Sequence, residues 1–177
     1  MRKITKLSFI LLMSALSTKF AFGAIEFKKV DFEDVMLQNT QILDSSGKKV
    51  SNSVIKNKYV GLFFSASWCG ACKPMGNSLK LYADKHKQYI TIIMIGLDKT
   101  EETHWNYMKN YENSFFTLPY KHKSFKELWK ATGQSLGGRY SKSGGVPVLL
   151  LYDKQRNFVE GVTMHTFKDL NYTPWKQ

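Results

Sequence analysis

Among the 177 residues only two are cysteine, and they stand three positions apart in Cys69-Gly70-Ala71-Cys72. Two thiols at this spacing can close to one disulfide and be reopened, which is the chemistry of dithiol-disulfide exchange. The apolar run Tyr59-Val60-Gly61-Leu62-Phe63-Phe64 precedes the pair, and Met75, Leu79 and Tyr82 follow it at helical spacing. The motif therefore reads as the junction between a buried strand and an amphipathic helix running from Gly70 to about Lys87. At the amino terminus of such a helix, unpaired N–H groups and the positive end of the dipole favour a thiolate. Cys69 is the expected nucleophile. Cys72, one turn further along the same helix, is the expected resolving residue that attacks the mixed disulfide and releases the partner.

Two plainer readings of the pair stay open at this stage. A structural bridge across two intervening residues closes almost no loop and adds little stability through chain entropy. Half of a zinc site would need further ligands, and the chain offers only His86, His104, His122 and His165. These histidines read as ordinary surface or partly buried side chains, and no metal or other cofactor is expected.

Stepping outward along the chain, residues 35–43 can form a strand, and Asp44-Ser45-Ser46-Gly47 supplies turn chemistry before residues 48–50, suggesting a small amino-terminal hairpin. Residues 90–97 form the strongest strand pattern in the sequence, closed by Asp98 where an open α/β sheet meets its functional edge. Thr100-Glu101-Glu102-Thr103 carries capping letters for a helix continued by Trp105, Met108 and Tyr111. A further short helix is expected at 124–132, ended by Gly133. Residues 146–153 and 157–164 read as an antiparallel hairpin around Lys154-Gln155-Arg156, and the tail leaves room for only a short helix before Pro174. Glycines are concentrated at 137–145.

The amino terminus reads as an export signal: Arg2, Lys3 and Lys6 precede the apolar run 7–16, with small residues at Ala21, Gly23 and Ala24. Cleavage after Gly23 would leave residues 24–177 as one domain; an uncleaved anchor is the alternative. The apolar run is shorter than the roughly 20 residues a membrane-crossing helix needs, and no cysteine nearby could carry a lipid. Removal of Arg2, Lys3, Lys6 and Lys19 lowers the formal charge from +12 to +8. Such a basic domain could favour nucleic acid, an anionic membrane or acidic proteins. Yet Arg139 and Arg156 would be its only arginines, the lysines are scattered, and planar phosphate recognition favours arginine. A solvated surface is the expectation, without nucleic-acid binding.

The segment Phe64-Ser65-Ala66-Ser67-Trp68-Cys69-Gly70-Ala71-Cys72-Lys73 resembles the active-site segment of the thioredoxin-like superfamily, especially its tryparedoxin and nucleoredoxin branch. Residues 93–102 resemble that branch's strand ending in an acid, and Gly145-Val146-Pro147-Val148-Leu149-Leu150 resembles its proline strand; the likeness runs from about residue 55 to about residue 165. The resemblance implies a thioredoxin-like three-layer α/β sandwich with a central mixed sheet, here with the added amino-terminal hairpin. It also implies a cis Pro147 opposite the cysteines, with Trp68, Val146 and Pro147 meeting the substrate and Val146 offering backbone hydrogen bonds. A trans proline starting a strand is the alternative.

Three departures limit the carry-over. Phe63 stands where thioredoxins place a buried acid, which leaves Asp98 as a candidate proton relay, with a turn or cap role the alternative. The stretch 136–145 is longer and richer in glycine than a thioredoxin connection, and the carboxy-terminal helix is very short.

The expected function is an exported, periplasmic thiol-disulfide oxidoreductase acting on protein thiols and disulfides as a monomer. With one cysteine pair and no nucleotide-binding glycine pattern, an outside donor or acceptor must recharge it; the resemblance implies that this is a membrane-bound electron donor. Gly70-Ala71 adds no histidine or charge to steady the thiolate, which favours a reductase over an oxidase or isomerase. A copper- or zinc-handling module using the pair is the alternative from another class.

Overall fold

Alternation of apolar side chains builds the centre of the molecule. The computed structural model describes residue 32 and residues 40–122, 146–163 and 173–176. Seven strands lie in one sheet: β1 (Ile42–Leu43), β2 (Lys49–Val50), β3 (Tyr59–Ser65), β4 (Ile90–Gly96), β5 (Phe115–Thr117), β6 (Val148–Tyr152) and β7 (Phe158–Thr163), in the order β2-β1-β5-β4-β3-β6-β7. Strands β3, β4 and β5 run parallel, while β1, β6 and β7 each pair antiparallel with a neighbour. The sheet is thus mixed.

Successive residues of β3, β4 and β6 point to opposite faces. Val60, Leu62, Phe64, Ile93, Ile95, Val148 and Leu150 enter one core, which also takes Phe32 and is flanked by Val54 and Ile55. Phe63, Ile92, Met94, Leu149 and Leu151 enter the other. Helices α1 (Cys72–Lys85) and α2 (Glu101–Met108) cover this second face with Met75, Leu79 and Tyr82 from α1 and Tyr107 and Met108 from α2. Both faces of the central strands are buried, which is why they read as unbroken apolar runs.

Local signals stop and start the elements. Asp44 folds the β1–β2 turn by accepting from the backbone N–H of Ser46 and Lys48 at 2.9 and 3.0 Å. These bonds hold its carboxyl below the ordinary value, the Ser46 hydroxyl contributing most. A capping box of Thr100 with Thr103 opens α2 as its letters indicated. Gly96, the last residue of β4, is a position where the His104 ring from α2 fills the space a side chain would need.

The amino-terminal hairpin is present, with β1 limited to Ile42–Leu43 among the described residues. Strand β5 was not expected from the sequence. Its three residues are too few to show a period, and only pairing with β4 and β1 makes them a strand. The segments expected at 1–23, 124–132 and 137–145, and most of the tail, lie outside the described residues. Among the described residues no helix is long and apolar enough to cross a membrane.

Candidate active site

The expected helix start at Gly70 is corrected by the structure. Helix α1 begins at Cys72, and Cys69 sits in the turn before it, built by Cys69 N–H to the Ala66 carbonyl and Cys72 N–H to the Cys69 carbonyl, both 3.1 Å. No side chain caps the helix. The N–H of Cys72, the first helical residue, also reaches the Cys69 sulfur at 3.2 Å, so the sulfur faces the start of the helix. Pro74 is the third helical residue, within the first turn where a missing N–H breaks no helical bond.

Cys69 and Cys72 are joined as a disulfide. Cys69 keeps 7% of its surface exposed and Cys72 none, with Ala66, Leu97 and Val146 packed around them. A helix amino terminus favours negative charge on a group that faces it.

Sheet topology brings the remaining predicted residues to this end of the molecule. The Cys69 sulfur lies 3.6 Å from the Val146 carbonyl oxygen, although the two residues are 77 apart in sequence, and the Val146–Pro147 peptide is cis. Trp68 is 54% exposed, and its indole N–H donates to the Leu97 carbonyl at 3.3 Å. Asp98 is buried and accepts from both the backbone N–H (2.9 Å) and the hydroxyl (2.6 Å) of Ser67 through one oxygen; its other oxygen has no partner. The end of β4 therefore grips the turn that carries Cys69.

Sequence reasoning missed several neighbours. Ser67 is the acceptor's partner, and its place two residues before Cys69 was the available signal. Ser65, Tyr107 and Tyr111 form a buried chain of hydroxyls, with Ser65 to Tyr107 at 2.9 Å and Tyr111 donating to Tyr107 at 3.0 Å. Its members come from separate elements, so spacing could not reveal it. Within this chain burial and the Tyr107 contact push the Tyr111 phenol well above its ordinary value. His104 corrects the reading of the histidines as surface or partly buried: it is wholly enclosed, and burial lowers its pKa against the opposing pull of Asp98 and Glu101. Among the described residues no group of three or more histidine, cysteine or acidic side chains could hold a metal ion.

A mixed sheet whose parallel strands end at a cysteine pair and a following helix defines a thioredoxin-type domain. A family model described as thioredoxin-like matches residues 57–158, more than half of the chain, and the chain belongs to that family. It is 30% identical over 125 residues to the thiol-disulfide oxidoreductase ResA of Bacillus cereus, covering 70% of this chain and 65% of that protein. Nucleoredoxin of Danio rerio is 25% identical over 144 residues, covering 80% of this chain and 30% of that one. The chain thus spans less than two thirds of the length of these curated relatives. Tryparedoxin from Trypanosoma brucei shares the fold with a TM-score of 0.58 at 23% identity, covering 74% of this chain and 85% of that structure.

Proposed function

We propose that the protein is an exported thiol-disulfide oxidoreductase that reduces disulfides in other proteins. The observation that carries this reading is the Cys69–Cys72 disulfide at the amino terminus of α1, with only Cys69 reachable from solvent. In the reduced protein the Cys69 thiolate attacks a substrate disulfide, forming a mixed disulfide and expelling one substrate thiolate, which takes up a proton. Cys72 then loses its proton and attacks the Cys69 sulfur. The mixed disulfide breaks, the second substrate thiolate leaves and is protonated, and the Cys69–Cys72 bridge forms. Two electrons and two protons pass to the substrate, and an external dithiol donor returns them. A membrane-bound donor fits the export reading, which is supported by the charged and apolar pattern of residues 1–23. The domain is taken to act as a monomer.

Trp68 and the Val146–Pro147 backbone flank the reactive sulfur and are the proposed substrate contacts. The 3.6 Å approach of the Val146 carbonyl to Cys69 supports this, since a peptide aligned on that backbone would bring its own sulfur to the nucleophile.

Asp98 is the proposed acceptor of the Cys72 proton, supported by its buried, unpartnered oxygen beside the cysteine turn. Asp98→Asn keeps an oxygen for both Ser67 bonds and removes the base. Resolution of the mixed disulfide should slow by about tenfold or more in single-turnover experiments, while Ser67→Ala should change it little. Equal slowing in both variants would instead assign Asp98 a purely bracing role.

The direction of electron flow is tested by equilibrating the protein with a glutathione redox buffer and following Trp68 fluorescence. Without a charged or polar side chain at Gly70 or Ala71, the reduced form gains little stabilisation beyond the helix terminus. The potential should lie nearer to about −270 mV than to about −120 mV. A value above about −150 mV would favour an oxidase or isomerase.

A further inference from the structure

Beside the cysteine pair, Ser67, Trp68, Lys99 and Thr103 line a cleft of about 530 Å³. This is within the size range of small-ligand pockets and large enough for a side chain and its neighbouring backbone. Its walls are held in place. Trp68 is fixed through its bond to the Leu97 carbonyl, Ser67 through Asp98, and Thr103 through its hydroxyl donating to the Thr100 carbonyl at 2.9 Å.

Lys99 differs from the other three. It is exposed and, among the described residues, has no hydrogen bond or ion pair. The nearby acids do not neutralise it directly: Asp98 is turned inward to Ser67, the Glu101 carboxylate accepts from the Trp105 indole at 3.2 Å, and Glu102 does not line the cleft. The cleft therefore combines a fixed aromatic surface, which takes a short aliphatic stem, with an unpaired ammonium that takes a carboxylate. The net positive formal charge, +12 for the full chain and +8 without residues 1–23, adds a long-range field of the same preference.

We propose that this cleft is a specificity subsite for an acidic side chain of the substrate polypeptide, adjacent to the cysteine that Cys69 attacks. It deepens the redox reading and rests on it. Trp68 precedes the nucleophile directly, so a residue next to the substrate cysteine falls within reach of the cleft while the substrate sulfur meets Cys69.

Three synthetic peptides, each with an internal disulfide and differing only in glutamate, glutamine or lysine next to the first cysteine, test the proposal. With reduced full-length protein at low ionic strength, the glutamate peptide should have a kcat/KM about fivefold above the lysine peptide, the upper end for an exposed ion pair, and added salt should shrink the ratio. Lys99→Glu should reverse the order and Lys99→Met should level it. Because Lys99 is exposed, both variants should fold, which their unfolding temperatures check directly. Reduction of all three peptides at one rate, or a glutamate preference that survives in Lys99→Glu, would overturn the subsite and leave the redox reading standing. Reduction of none would overturn both.

Discussion

Cys72→Ser is expected to accumulate covalent adducts with substrate proteins, and Cys69→Ser to lose both trapping and disulfide reduction, the latter by about three orders of magnitude or more. Accessibility sets the asymmetry. Cys69 retains some exposed surface and receives the Cys72 N–H, whereas Cys72 is enclosed and has the Cys69 sulfur itself within reach. A serine hydroxyl at position 69 stays protonated and cannot displace a thiolate from a disulfide. Without Cys72 the first step proceeds and the second has no nucleophile. Non-reducing gels of the two variants, with insulin reduction alongside, measure both outcomes. Trapping by Cys69→Ser and none by Cys72→Ser would reverse the assigned roles.

Phe63→Ala should lower the stability of the oxidised protein by about 3–5 kcal/mol, a large share of the 5–15 kcal/mol typical of a domain. The ring is fully buried, meets Phe115 edge-on at a centroid distance of 6.1 Å, and packs in the cluster that joins the sheet to Met75 and Leu79 of α1. Its loss leaves a cavity beneath the helix that carries Cys72, and the cavity adds its own cost to the lost burial of the ring. A fall in unfolding temperature of about 10 °C follows for a chain of this size. Trp68→Ala, at an exposed position, should stay within about 0.5 kcal/mol of the parent. Thermal unfolding of the three proteins under oxidising conditions separates these values, and equal losses at both positions would contradict the assignment of Phe63 to the core.

Much of the scaffold was legible because its causes are local or periodic. The apolar runs that became β3, β4 and β6 are continuous since both faces of each strand are covered, and the Thr100–Thr103 box opens α2 through contacts three residues apart. Helix α1, which follows Cys69 and carries Cys72, was legible in its apolar face and misplaced by two residues at its start. Spacing reports which face is buried, whereas the first helical residue depends on where the preceding turn delivers the chain. Strand β5 escaped because three residues acquire strand character only from neighbours supplied by distant parts of the sequence.

The sequence by itself determined the chemistry available: one cysteine pair, its position between a strand and a helix, and the family to which residues 57–158 belong. Tertiary structure decided which sulfur is reachable and what surrounds it. Val146 comes within 3.6 Å of Cys69 because β6 pairs antiparallel with β3. Asp98 and Lys99 reach the cysteine turn because β4 runs parallel to β3 and ends beside it. Each contact joins segments 29 or more residues apart. Sequence spacing records neighbours along the chain, and only the pairing of strands converts it into neighbours in space.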